Sequence, residues 1–381
     1  MKLFKTYFII VFCSLVFSIF AFVIYKFIIE PKLNPYPKVV LEEYKNKTGM
    51  DFDKRPRFKV YEDLLEYDSN VIVSIPPESY LINKSYKIKN KIFPFSGASN
   101  TLTINCNENG YYSKYQSDRY GFNNPDSEWD KKEIEYMLLG DSFAHGFCVN
   151  RPNDIASLLR NLSKKSVLNL GYAGNGPLIE YATLKEYIKP NVKKIIWFYY
   201  EGNDIKDLGK EVNSEILIKY LNNYDFTQNL KNKQNEIDFT VKDYLSYHYN
   251  KSIRLYLSLK KGFANYFKEN NNEKNDTSEL LKNFYKIMKF TKRISLENNS
   301  ELFFVYLPEI KRYKQDNYKN DNYTQIKKIV KNLDIAFIDI NKEVFQNETS
   351  PLELFPFKIF PHYTIEGYKK VTKSIFNFAS K

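Results

Sequence analysis

The chain has 381 residues, with 57 basic and 45 acidic side chains and a formal net charge of +12. That length can bury a substantial core and suits one large domain with additions rather than several equal ones. A positive balance would suit nucleic acid, but the lysines are scattered among asparagine, tyrosine and isoleucine with no basic-aromatic module, so nucleic-acid binding is set aside.

Lys2 and Lys5 precede an uncharged run from Thr6 to Tyr25 rich in Phe, Ile and Val. A helix of about 20 apolar residues crosses a bilayer. No Ala-x-Ala site closes the run before Lys26, so an uncleaved, single-pass anchor over residues 1–30 is expected rather than a removed signal peptide. The soluble part is expected on the extracytoplasmic, periplasmic side, although Lys26 and Lys32 blunt the charge asymmetry that sets orientation. Cys13 lies in the run, leaving Cys106 and Cys148 as the only pair beyond it. A pair of cysteines in an exported chain predicts a disulfide, with two buried thiols as the alternative.

Residues 31–132 read as a linker and a small accessory region. Pro31 to Pro37 is a proline-rich spacer, and short apolar runs such as Asn70–Ile75 and Lys91–Phe95 predict short strands that pack on the core. The segment Ser117–Pro125 reads as a turn in which Asp118 and Arg119 either lock this region to the sheet or reach the substrate cleft.

From residue 133 to 381 strand and helix alternate. Tyr136–Leu139, Val167–Leu170, Ile195–Tyr200, Leu302–Leu307 and Ile335–Asp339 are apolar runs typical of strands covered on both faces. Helices are expected over about Ser142–Leu162, Pro177–Ile188, Ser278–Leu296, Gln325–Asn332 and Thr364–Ala379. The fold class is therefore α/β, a three-layer α/β/α sandwich around a five-stranded parallel sheet. Residues 207–276 are too long and polar for a simple connection and read as an insertion, in which Leu255–Leu259 and Tyr266-Phe267 offer an apolar face or lid. His248, inside it, reads as a packing or surface histidine.

The first strand ends at Leu139-Gly140-Asp141-Ser142-Phe143-Ala144-His145-Gly146, presenting a serine where a helix begins. Such a turn exposes a hydroxyl for nucleophilic attack. Three later blocks follow: Asn169 to Pro177, with Gly171 and Gly174; Glu201-Gly202-Asn203-Asp204; and Pro361-His362-Tyr363-Thr364-Ile365-Glu366-Gly367-Tyr368. In their order of serine, glycine, asparagine and histidine, these blocks resemble the SGNH (GDSL-like) hydrolase superfamily over residues 134–381.

The resemblance implies Ser142 as nucleophile and His362 as general base, with an oxyanion hole from the Ser142 and Gly174 N–H groups and the Asn203 amide. Gly174 is preferred to Gly171 because the family's oxyanion glycine follows its strand by a few residues. Asp141 and Asp204 take supporting roles. His145 is a rival base, badly placed one turn from the serine. Many members carry aspartate three residues before the histidine, where this chain has Ile359. His362 is therefore expected to be oriented by Asp339, by Glu353 or by a backbone carbonyl. No cofactor is expected, and no metal-ligand spacing or phosphate loop occurs.

Together these features predict an ester hydrolase that removes O-acyl groups from an envelope glycan. The alternatives are O-acyl transfer to a cell-surface polysaccharide with a membrane acyl-transfer partner, or a glycan-binding module with weakened chemistry.

Overall fold

The computed structural model describes residues 2–24, 36–83, 85–89, 91–249 and 277–380. Met1–Val60 forms one compact unit and Tyr61–Lys381 the other. In the first unit, Lys2–Ile24 is a single helix with Phe12, Phe17 and Phe20 exposed. Among the described residues no helix is long and apolar enough to cross a membrane, so the expected anchor over residues 1–30 is not found there. Most of the Pro31–Pro37 spacer lies outside the described residues, as do Leu255–Leu259 and Tyr266-Phe267.

The second unit holds two sheets. Five parallel strands, β4 (Ile134–Leu139), β5 (Val167–Asn169), β6 (Val192–Tyr200), β7 (Glu301–Leu307) and β8 (Ala336–Asp339), lie in the order β5-β4-β6-β7-β8. Side chains alternate across a strand, and each face of this sheet is apolar because each is covered. On one face Ile196, Phe198, Val305 and Ile338 pack with Ile155 and Leu159 of helix Ile155–Ser163 and with Val371 and Ile375 of helix Ile365–Ala379. On the other, Tyr199 and Phe304 meet Phe284 of helix Thr277–Glu297 edge to face. The expected three layers are present.

A smaller sheet precedes them: β1 (Val71–Val73) runs parallel to β2 (Leu102–Ile104), which pairs antiparallel with β3 (Lys114–Gln116). Lys91–Phe95 forms no strand, although Phe93 and Phe95 are buried. The disulfide forms between Cys106 and Cys148. Cys106 lies in the loop joining β2 to β3, so the covalent bond ties that loop to the segment after β4. Asp118 is wholly buried and accepts from Trp129 Nε1 at 2.7 Å, Asn124 Nδ2 at 2.8 Å and two backbone N–H groups of its own turn. Burial pushes its carboxyl up to about 6 against those donors. Arg119 pairs with Asp126 and Asp130. Both residues lock the turn and neither is bonded to the site below.

One expectation is corrected here. The helix predicted over Ser142–Leu162 is broken into Ser142–His145 and Ile155–Ser163. Gly146 ends the first turn in the left-handed region at φ 77°, and a Cβ there would lie 2.4 Å from that of Asp154, so the backbone leaves the helix at a position only glycine fills. Asp207, where the expected insertion begins, lies in helix Asp204–Glu211, which is buried through Ile205 and Leu208. Beyond it come helices Glu215–Asn222 and Gln234–Tyr249, the latter placing His248 in a stack with Tyr244.

Candidate active site

All four sequence blocks lie at the carboxyl edge of the large sheet, the edge where ligands bind in open α/β folds. Ser142 opens the short turn after β4. Asp141 caps that turn, accepting the Phe143 N–H at 3.0 Å, and lies 3.3 Å from Ser142 Oγ. His362 comes from the loop before the last helix, whose N-terminus Thr364 caps by accepting the Gly367 N–H.

The structure brings these two residues together. His362 Nε2 lies 2.9 Å from Ser142 Oγ. The ring is packed against Phe143, with centroids 5.0 Å apart, and against Phe147 at 5.4 Å. Its side chain is only 12% exposed.

The other face of the imidazole meets a residue absent from the sequence expectation. Glu108, in the loop between β2 and β3, places Oε1 2.9 Å from His362 Nδ1 and accepts the His362 backbone N–H on Oε2 at 3.2 Å. A carboxylate facing Nδ1 favours the neutral tautomer with its hydrogen on Nδ1, which leaves the Nε2 lone pair toward the serine. Neither expected orienter reaches the ring. Asp339 caps its own helix by accepting the Lys342 N–H and also accepts the Tyr323 hydroxyl. Glu353 pairs with Lys358, with both side chains more than half exposed. The physical reason is chain geometry: the acid comes from the small sheet, 254 residues away in sequence.

Burial alone would lower the His362 pKa, but the charge and hydrogen bond of Glu108, with the charge of Asp141, outweigh it and raise the value. Asp141 is itself raised by burial, against the Phe143 N–H and the charge of His362. His145 is excluded as base by its surroundings: it is fully buried, stacks on Tyr172 at 4.6 Å, and its Nδ1 accepts the Ala173 N–H at 3.2 Å. Burial pushes its pKa down to about 3. Its place is under the glycine loop, where it holds Ala173.

That loop carries Gly174 at φ 79°, with Pro76 of the accessory region packed where a Cβ would sit, 2.6 Å from it. Among the described residues the Gly174 N–H has no backbone partner, whereas the Gly171 N–H is committed to Asn169 Oδ1 at 2.9 Å. Asn203, at the N-cap of helix Asp204–Glu211, donates one amide hydrogen to Asp207 Oδ2 at 2.6 Å. Burial pushes Asp207 up to about 6, while Lys210, which also pairs with Glu78, opposes the shift. Asp204 is buried and accepts the Tyr200 N–H at 2.8 Å, pinning the end of β6. Glu211 accepts the Gly176 and Leu178 N–H groups and fixes the start of the next helix.

Sequence reasoning missed Glu108, Asp207 and Glu211. Only Glu108 had a signal: it stands two positions from Cys106, whose expected partner Cys148 follows Ser142 by six residues.

Glu108, Cys148 and His362 offer ligand atoms within 4.8 Å of one another. Their chemistry does not suit a metal ion. The Cys148 sulfur is bonded to Cys106 and is not a thiolate, so only Glu108 and His362 of the three keep a ligand atom.

No family model and no curated protein matches the chain. Solved structures do align with it. A protein assigned to the G-D-S-L lipolytic family from Desulfitobacterium hafniense is 16% identical over 64% of this chain and 99% of that one, with a TM-score of 0.36. An acetylxylan esterase from Geobacillus stearothermophilus is 12% identical over 65% and 94%, TM-score 0.36. A psychrotrophic esterase from Pseudoalteromonas is 7% identical over 64% and 96%, TM-score 0.33.

Proposed function

We propose that the chain is a serine ester hydrolase of the SGNH type, with Ser142, His362 and Glu108 as nucleophile, base and supporting acid. The observation that carries this reading is the contiguous Glu108–His362–Ser142 array, with 2.9 Å on either side of the imidazole. In the reaction, Ser142 Oγ attacks the ester carbonyl while His362 Nε2 takes its proton. The carbonyl oxygen becomes an oxyanion held by the N–H groups of Ser142 and Gly174 and the second amide hydrogen of Asn203. Collapse expels the alcohol, protonated by His362, and water activated by the same imidazole then releases the acid. Glu108 stabilises the imidazolium at each half-reaction.

Hydrolysis of an aryl acetate, together with covalent capture of Ser142 by a fluorophosphonate, tests the reading; no turnover and no labelling of the folded protein would refute it. The glycan-binding alternative drew its force from the missing acid, and Glu108 supplies one. Formation of acylated glycan from a donor ester, faster than hydrolysis, would instead favour transfer. For location, the uncharged run before Lys26 and the disulfide support a membrane-anchored enzyme with its soluble part outside the cytoplasm. The substrate we favour there is an O-acylated envelope glycan.

Two results are expected from the site. Asn203→Ala should lower kcat by about 10²–10³-fold with little change in KM, the usual cost of one oxyanion donor, measured by steady-state kinetics. The pH profile should also be displaced. The base must be neutral to accept the serine proton, and its raised pKa keeps it protonated to higher pH. The acid limb of kcat/KM should thus lie above about pH 6.5, the ordinary histidine value. A limb below that value would contradict the charge arrangement.

A further inference from the structure

We infer that the Cys106–Cys148 disulfide is a positioning element of the catalytic array, holding Glu108 against His362 so that breaking it impairs the base without removing any reacting group. This rests on the ester-hydrolase reading above and adds to it a dependence on redox conditions.

The geometry is direct. Glu108 belongs to the loop between β2 and β3, which spans residues 105–113 and has no strand or helix of its own. Its base is closed by paired backbone, with Asn105 N donating to Ser113 O at 2.8 Å and Ser113 N to Cys106 O at 3.0 Å. From that base the loop must reach the edge of a different sheet. Cys106 is bonded to Cys148, which is fully buried in the segment after the nucleophile turn. Cys148 Sγ also lies 3.8 Å from His362 Nδ1. The covalent bond therefore stands beside the carboxylate–imidazole contact that it would fix.

One noncovalent tie runs in parallel, from Asn109 Nδ2 to Cys148 O at 3.0 Å, and a second from the Lys114 N–H to Asn150 Oδ1 at 2.8 Å. These should keep the loop near the site after reduction, so the expected effect is partial. A displacement of about 1 Å in a catalytic group costs roughly 10²-fold. Cys106 is partly buried and Cys148 fully buried, so complete reduction is verified by mass before any rate is compared. A dithiol reduces it by giving two electrons and two protons: the sulfur–sulfur bond breaks, two thiols form, and the dithiol closes to its own disulfide.

The test compares aryl acetate hydrolysis by the oxidised protein, the dithiothreitol-reduced protein with free thiols verified by mass, and the double variant C106S/C148S. Each is measured in the wild-type background and in E108Q. We expect reduction and the double substitution to lower kcat about 10- to 100-fold in the wild-type background. The acid limb should move to lower pH, KM should change little, and neither treatment should add a further loss in E108Q. An unchanged rate and limb in the reduced protein would overturn the inference, as would an equal loss in E108Q, because the bond would then act on the fold and not through Glu108.

A second arm needs no substrate. In S142A the His362 pKa is followed by NMR, which is practicable with three histidines in the chain. It should fall on reduction, and an unchanged value overturns the inference. If oxidised wild type neither turns over ester nor takes up a fluorophosphonate, the esterase reading fails by itself, and the NMR arm still decides whether the disulfide holds Glu108.

Discussion

Ser142→Ala should lose ester hydrolysis by about 10⁴- to 10⁶-fold, and His362→Ala by a similar factor, while the double variant should be no worse than either alone. The members of such an array act as one unit, and removing any of them leaves only binding and oxyanion stabilisation. The structural ground is the 2.9 Å approach of Nε2 to Oγ from a loop 220 residues away in the chain. Ser142→Ala should leave the strand beneath undisturbed, because Ser142 opens the turn after β4 and its hydroxyl bonds only to Asp141 and His362. Steady-state kinetics on an aryl acetate, with near-ultraviolet circular dichroism to verify packing, checks the prediction. A Ser142→Ala protein that kept a tenth of the rate would show that the hydroxyl is not the nucleophile.

Glu108→Gln is expected to cost about 10³- to 10⁴-fold in kcat. An amide at this position has the same shape but no charge. It can present an N–H to Nδ1, which favours the tautomer whose Nε2 carries the hydrogen and cannot take the serine proton, the effect known for the corresponding acid of serine proteases. The loss should come with a downward shift of the acid limb, since the charge that raises the His362 pKa is gone. Glu108→Asp should recover part of the rate by restoring the charge on a shorter stem. If Glu108→Gln retained wild-type kinetics, the contacts to Nδ1 and to the His362 backbone would have to be read as loop packing.

Much of the large sheet was legible because its strands are buried on both faces and therefore write themselves as uninterrupted apolar runs. Ile195–Tyr200 and Leu302–Leu307 fall inside the observed β6 and β7, which extend by only one to three residues at their amino ends. The nucleophile and histidine blocks were visible for a different reason: glycine, serine and histidine at strand ends have few structural uses in that pattern. The helix after Ser142 was misread because helical propensity says nothing of a left-handed glycine that must pass Asp154.

Glu108 was hidden for a deeper reason. A carboxylate acts at a site through its position in space, and no periodicity links a hairpin loop of one sheet to the final loop of another. The expected disulfide was the one long-range restraint available, and it placed Cys106 beside the nucleophile. Following that restraint two residues further would have brought Glu108 to the imidazole in place of Asp339 and Glu353.

The loop that carries Glu108 makes residue 133 a boundary in sequence but not in chemistry. A recombination event or an engineered excision that transplanted the α/β sandwich by itself would carry away the hydroxyl and the imidazole and leave their counter-charge behind. Pro76 against Gly174 and Glu78 against Lys210 tie the accessory region to the glycine loop and to helix Asp204–Glu211. On the proposed chemistry the two regions are heritable only as a pair, since a foreign counterpart of either would lack the other's half of the array.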